Sequence, residues 1–116
     1  MANPLTSSIS IAKPPGILWN LLTAAEGLTD WYDNWDAVDY TGDRGFLRVG
    51  STFRLLRQGN SAWCRVTLAD PPHLLRWLEV ADGGVTVAVE FRLKSDETGG
   101  TVLIHTKTAI EPDAAT

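Results

Sequence analysis

The strand-like alternation that begins at residue 35 constrains the fold more than any other feature of this sequence. In the clearest segment, "VTVAVEFRL", every second residue from Val85 to Leu93 is apolar, which predicts a strand with one buried face. Gly, Pro, Asn and Asp fill the short intervals between segments, as in hairpin turns. The pattern therefore predicts a meandering antiparallel sheet. Its strands are expected at residues 35–40, 49–57, 61–69, 73–80, 85–93 and 101–110.

The preceding residues predict one more strand and two short helices. The alternating segment "SSISIA", residues 7–12, ends at a proline pair. In "PPGILWNLL" the prolines take first-turn positions and the aliphatic residues form one stripe, which predicts a helix. Thr23 and Glu26 have the spacing of a capping box, so a second helix is expected to run to about Tyr32. The fold class is therefore α+β.

Length and composition bound the rest. With 116 residues, 44% of them apolar, residues 1–116 are expected to form a single domain with its own core. The single cysteine, Cys64, excludes an internal disulfide and a multi-cysteine metal site. Because Cys64 lies in the middle of a predicted strand, we interpret it as a buried packing residue.

Charge and hydropathy indicate which partners to expect. The net charge of −4 argues against a nucleic-acid partner, which would need clustered lysine and arginine. No leader-like segment opens the sequence and no apolar run is long enough to cross a bilayer, so we expect no membrane partner and a cytoplasmic location. The negative charge is concentrated in "TDWYDNWDAVDYTGD", residues 29–43, which has five aspartates and no basic residue.

This acidic stretch could be a metal or acid/base site, or the rim of a pocket. Its aspartates fall three or four residues apart with tryptophans between them, unlike the ligands of a calcium loop. Two histidines and one cysteine also give too few ligands for zinc, and no glycine-rich loop opens a helix as a phosphate cradle would. We therefore expect a solvated rim, no metal and no cofactor.

Several segments together resemble the SRPBCC superfamily over residues 7–107. They are "IAKPPGILWNLLT", "AAEGLTDWY", "VGSTFRL", "CRVTLADPPHLLRWLE" and "VTVAVEFRLKSDETGGTVLIH". The resemblance is greatest to the branch of polyketide-cyclase-like proteins and homologues of the heat-shock chaperone ATPase activator. It implies a helix-grip fold, in which a curved antiparallel sheet of about seven strands wraps a long C-terminal helix around a deep apolar cavity. Only "EPDAAT" follows the last predicted strand, so that helix is expected to be missing.

The resemblance implies a ligand-binding cavity with aromatic walls. Trp31 and Trp35 flank the predicted helix end, where this fold places the cavity mouth. Apolarity does not decide which face of "TVLIHTKTAI" is buried, but the matching strand of the family points its histidine inward. The candidate ligand-binding residues are Trp31, Trp35, Phe53, Trp63, Trp77 and His105.

Two classes of function remain open. The first is a protein that binds a small apolar or aromatic molecule or a partner protein, such as a chaperone, without changing it. The second is a polyketide cyclase or aromatase-like enzyme in which an inward-facing acid or base moves a proton. No catalytic motif is present, and only His105 and Asp36 are weak candidates for such a group.

The sequence also raises the question of what covers the sheet. Without a gripping helix, the apolar face of the strand from Val85 to Leu93 would leave a large exposed patch. We expect a second copy of the chain to cover it in a homodimer. Alternatively, the two predicted helices fold over the groove and the protein stays monomeric.

Overall fold

Strands dominate the computed structural model, which describes residues 5–24, 27, 32, 35–40, 46–81 and 83–110. One α-helix, α1, spans Pro15–Thr23. The seven strands are β1 (Leu5–Ile11), β2 (Ala37–Asp39), β3 (Thr52–Arg57), β4 (Asn60–Asp70), β5 (Leu74–Ala81), β6 (Thr86–Ser95) and β7 (Thr101–Ile110). The predicted seven-stranded α+β architecture is confirmed.

All seven strands form one antiparallel sheet in the order β1-β7-β6-β5-β4-β3-β2. From β2 to β7 each strand pairs with the next along the chain, as the short turns predicted. β1 then pairs with β7, in a register that places Leu5 opposite Lys107 and Ile11 opposite Thr101. This curved sheet with one short helix fits the helix-grip fold.

The predicted second helix is wrong for the residues that the structure describes, where α1 is the only α-helix. Thr23 does not cap a new helix, because it is the last residue of α1 and its hydroxyl donates to the Trp19 carbonyl at 2.7 Å. The chain then leaves the helix, and Ala24 forms a β-bridge with Phe46. Glu26 and most of the proposed helix lie outside the described residues. Within the described part, no helix has the length and apolarity needed to cross a membrane.

The inner face of the sheet carries the core. In β6, Val89, Phe91 and Leu93 are buried as predicted, whereas Val85 precedes the strand and is exposed. α1 packs on this face because its buried residues lie on one side of the helix. The remaining members of the core are Leu18, Trp19, Leu22, Tyr32, Trp35, Leu47, Phe53, Leu55, Ala62, Cys64, Val66, Leu75 and Trp77.

The outer face carries ion pairs of Glu90, one across the β5–β6 pair and one within β6. Arg76 Nε lies 2.7 Å from Glu90 Oε1, and Arg92 Nη2 lies 3.5 Å from Glu90 Oε2. Both arginine side chains are partly exposed to solvent, so these pairs add little to stability. Arg65 is exposed on the same face, and no ion pair of its side chain is found among the described residues.

The turn between β6 and β7 connects the sheet to the start of α1. Asp96 Oδ1 accepts hydrogen bonds from the backbone and hydroxyl of Thr98 and from the Gly100 backbone, and these bonds lower the pKa of the exposed Asp96 carboxyl. Gly100 is tightly enclosed, since a Cβ there would lie 2.7 Å from the Ile11 carbonyl oxygen. The hydroxyl of Thr101 donates to the Lys13 carbonyl at 2.7 Å. The "GGT" sequence is thus needed to hold β1 and α1 against β7.

Candidate functional site

A buried acidic group, Glu79, lies at the centre of the inner face. It follows Leu75 and Trp77 on the same side of β5 and is only 7% exposed. Its Oε1 accepts hydrogen bonds from the Tyr32 hydroxyl at 2.8 Å and from Trp77 Nε1 at 3.4 Å. The Cys64 thiol is a weaker donor to the same oxygen at 3.9 Å. The carboxylate is therefore held by donors within an otherwise apolar core.

Burial controls the protonation of these donors. It raises the pKa of the Tyr32 hydroxyl, and the Glu79 carboxylate beside it raises the pKa further. The pKa of the Cys64 thiol is raised by the same two causes, burial first. Both groups therefore stay protonated at neutral pH and remain donors. The interpretation of Cys64 as a buried packing residue agrees with its position.

Aromatic rings fill the space around Glu79. The Tyr32 ring meets Trp77 edge to face at 5.3 Å and Phe91 at 6.1 Å. Phe53 also meets Trp77 edge to face, at 5.3 Å. The structure thus brings Phe53 and Trp77 together as predicted candidates, but as interlocked rings of a packed core rather than as walls of an open cavity.

His105 points inward, on the same face as Thr101 and Leu103. Its ring stacks on Phe91 with centroids 4.5 Å apart and an interplanar angle of 7°, and it meets Tyr32 at 5.9 Å. Burial lowers the pKa of the imidazole, so His105 is neutral at pH 7. Its Nε2 is buried and has no hydrogen-bond partner among the described residues.

Lys107 follows His105 on the inner face of β7. Its ammonium lies 4.7 Å from the centre of the Tyr32 ring, within range of a cation–π contact. Burial lowers the pKa of Lys107. The inner face therefore combines an acid, a neutral imidazole and a partly desolvated amine around one tyrosine ring.

Other candidates from the sequence lie elsewhere. Trp63 was expected to line the pocket, but it is 57% exposed on the outer face, because β4 pairs it with Val80 rather than with an inner-face residue of β5. Trp35 is buried beneath the Arg57 guanidinium, whose carbon lies 4.7 Å from the indole centre. Trp31 lies outside the described residues.

The acidic stretch behaves as a rim where the structure describes it. Asp36 is exposed and its Oδ2 accepts a hydrogen bond from the Gln58 backbone at 3.1 Å, which places it at the β3–β4 turn and away from the inner face. Asp39 is also exposed and lies 3.4 Å from Arg54. Asp30, Asp33 and Asp43 lie outside the described residues. In the described ranges no group of three or more His, Cys, Asp or Glu could hold a metal ion.

An apolar groove runs between α1 and the β1–β7 edge of the sheet. It has a volume of about 310 Å³ and partly open walls. Leu103 contributes to its floor, and His105 is the next inward residue of β7. The groove lining consists of Ile11, Leu18, Leu21, Leu22, Ala24, Gly27 and Leu103.

Sequence reasoning missed Glu79, Lys107 and this groove. The signal for Glu79 was present in "LLRWLEVA", where it shares the parity of Leu75 and Trp77. The groove could not be found in this way, because Leu21 and its neighbours form an ordinary amphipathic stripe on α1. Only the packing of α1 leaves part of that stripe uncovered.

Solved structures show the same fold. A protein from Mesorhizobium loti, MLL2253, matches with a TM-score of 0.76 and 21% identity, covering 96% of this chain and 79% of that protein. CalU16 from Micromonospora echinospora matches with a TM-score of 0.69 and 24% identity, covering 95% of this chain and 62% of CalU16. DynU16, from the dynemicin biosynthetic locus, matches with a TM-score of 0.73 and 15% identity over 97% of this chain, which spans 39% of DynU16.

A search of curated proteins finds no match. A family model does match, over residues 12–116, and its description is activator of Hsp90 ATPase homolog 1-like protein. Together with the fold, this match confirms the SRPBCC resemblance and its chaperone-activator branch. The chain belongs to the activator of Hsp90 ATPase homolog 1-like family of the SRPBCC superfamily.

Proposed function

We propose that this protein binds a small apolar or aromatic molecule in the groove beside α1. The supporting observation is the groove itself, a concave apolar space of about 310 Å³ whose walls come from α1, β1 and β7. This volume lies at the lower end of the roughly 300–1,000 Å³ range of small-molecule sites. Leu21 is still 54% exposed at its edge, so a bound molecule would remove further apolar surface from water.

Polar groups on the same face would orient such a ligand. His105 follows Leu103 on the inner side of β7, and one nitrogen of its neutral ring has no partner within the described part of the chain. A ligand that reaches past Leu103 and donates a hydrogen bond would satisfy this nitrogen after a small movement of the ring. The groove therefore favours a mainly apolar molecule with one polar end.

The test is titration with 2-naphthol, a small aromatic probe with one hydroxyl donor, followed by amide chemical shifts and by thermal unfolding. We expect shifts confined to α1, β1 and β7 and a rise in melting temperature. Leu21→Ser should weaken binding about tenfold, because it removes roughly 1.5 kcal/mol of apolar contact.

Ile17→Ser is the matched control, since Ile17 is a 49% exposed aliphatic residue of α1 that does not line the groove. It should leave the affinity within about twofold, as expected for a residue outside the site. Chemical shifts that stay unchanged at saturating probe, or an equal effect of the two variants, would argue against the proposal.

A cyclase-like enzyme is the second candidate, supported by the inward-facing neutral imidazole of His105. A neutral imidazole can accept a proton from a substrate held in the adjacent groove. His105→Gln separates the two functions: in a pure binding protein it changes affinity alone. In an enzyme it abolishes turnover of a groove-bound substrate while binding persists.

We also propose that a second copy of the chain covers the uncovered part of the inner face. Leu5 and Ile9 of β1 are exposed next to the groove, and β1 is an edge strand without charged residues. Light scattering is expected to show a dimer that Ile9→Lys dissociates. A monomer of 12.7 kDa at micromolar concentration would contradict this proposal.

A further inference from the structure

The outer face of the sheet carries an apolar patch that neither the groove nor the core explains. Trp63 of β4 lies opposite Val80 of β5, and Arg65 lies opposite Leu78, so these side chains are neighbours on one face. Trp63, Leu78 and Val80 are all exposed. Contiguous patches of exposed apolar side chains often mark interaction surfaces, whereas single scattered ones do not.

Arginines border the patch. Arg54 of β3 lies opposite Trp63, with its guanidinium carbon 5.3 Å from the indole centre. Arg65 is the next outer-face residue of β4 after Trp63, opposite Leu78. The outer patch is therefore defined here as Arg54, Trp63, Arg65, Leu78 and Val80.

The charge of the outer patch contrasts with that of the chain. The patch itself contains two arginines and no acidic residue, although the protein carries a net charge of −4. Asp39 is the ion-pair partner of Arg54, 3.4 Å away, and the two side chains are partly exposed. Such an ion pair contributes little to stability, so the carboxylate of a partner can replace that of Asp39.

We infer that the outer patch docks an acidic polypeptide segment with an apolar anchor residue. The anchor would pack on Trp63, Leu78 and Val80, and carboxylates on either side of it would pair with Arg54 and Arg65. Strand geometry places the Cβ of Arg54 roughly 5 Å from that of Trp63 across the β3–β4 pair, and the Cβ of Arg65 roughly 7 Å from it along β4. Tryptophan and arginine are also the residue types that carry most binding energy at interfaces.

Charge also favours a polypeptide over nucleic acid. A phosphate backbone would extend beyond the outer patch and be repelled by the net charge of −4 that the protein carries. A short acidic segment makes its contacts within the patch alone. Because such an interface is small, we expect weak, salt-dependent binding.

The test uses a fluorescein-labelled peptide of about ten residues in which aspartates flank a central phenylalanine and leucine. Fluorescence anisotropy should show saturable binding that weakens several-fold when salt is raised from about 50 to 300 mM. Trp63→Ala should reduce the affinity at least tenfold. Arg65→Glu should reduce it to a similar extent by introducing a repulsive charge.

The matched control is Lys94→Glu, which makes the same charge change on an exposed outer-face residue at the far end of β6. It should change the affinity less than twofold. Thermal unfolding confirms that each variant is folded, and the arginine variant suffices if the tryptophan variant is not.

Three results would overturn the inference. One is absence of saturable binding at low salt. Another is an equal loss in Arg65→Glu and Lys94→Glu, which would indicate only nonspecific attraction. The third is tighter binding of single-stranded oligothymidylate than of the acidic peptide, or dissociation of a dimer by Trp63→Ala, because either would assign the patch to a different occupant.

Discussion

Replacing Tyr32 by phenylalanine tests whether the buried carboxylate of Glu79 depends on its donors. The substitution keeps the ring, and with it the contacts to Trp77, Phe91 and His105. It removes the hydroxyl that donates to Glu79 at 2.8 Å in a buried site. A hydrogen bond to a charged, buried acceptor contributes about 1.5 to 3 kcal/mol. We expect Tyr32→Phe to lower the free energy of unfolding by that amount.

For 116 residues the unfolding entropy is about 0.24 kcal/mol per kelvin, so the melting temperature should fall by about 6 to 12 °C. Urea denaturation and calorimetry at pH 7 measure both quantities. Tyr40→Phe is the control, because Tyr40 is only partly buried against the core and should lose less than about 0.5 kcal/mol. In a Glu79→Leu background Tyr32→Phe should cost nothing, since the hydroxyl has lost its acceptor. A loss below about 0.5 kcal/mol in the wild-type background would refute the reasoning.

Three further predictions concern pH and packing. Because the pKa of Cys64 is raised in the folded state, the unfolded chain loses this proton first when the pH rises above 9.0. Above that pH the free energy of unfolding of the wild type should fall by about 1.4 kcal/mol per pH unit relative to Cys64→Ala, as measured by urea denaturation. Because the pKa of His105 is lowered in the folded state, the unfolded chain binds this proton first when the pH falls below 6.5. Below that pH the free energy of unfolding of the wild type should fall by up to about 1.4 kcal/mol per pH unit relative to His105→Leu. Parallel curves of stability against pH for the two proteins would contradict this. Gly100→Ala should cost about 1 to 3 kcal/mol by calorimetry, because its Cβ would meet the Ile11 carbonyl, whereas Gly16→Ala on open α1 should not destabilise.

The sheet could be predicted because each strand carries its own evidence. The alternation in "VTVAVEFRL" and the turn residues around it are local, and strand pairing followed from short connections. The second helix was wrong because the same local reasoning assigned Thr23 as a cap, while in the fold its hydroxyl donates back into α1. Both the capping bond and this bond are local, so the capping pattern alone cannot decide which of them the hydroxyl makes.

The candidate site was only partly predictable because it depends on register. Whether Trp63 shares a face with Trp77 is decided by the pairing of β4 with β5, and a shift of one residue would reverse it. The inward orientation of His105 came from the family resemblance, since both parities of β7 carry apolar residues. Glu79 was not singled out from the sequence, because its role depends on three donors that meet it only in the folded structure.

The pairing of β1 with β7 has a consequence for how the groove opens. All other neighbouring strands are consecutive along the chain, whereas Leu5 and Lys107 meet only after most of the chain between them has been ordered. Contacts so distant in sequence form late in folding and are expected to open at a lower free energy than the central hairpins. Native-state amide exchange should therefore be faster in β1 than in β5 and β6. Since Ile11 belongs to β1 and α1 follows β1, we expect these walls of the groove to open more readily than the central hairpins. Transient undocking of β1 and α1 would then admit a molecule to the proposed binding site while the hairpins stay intact.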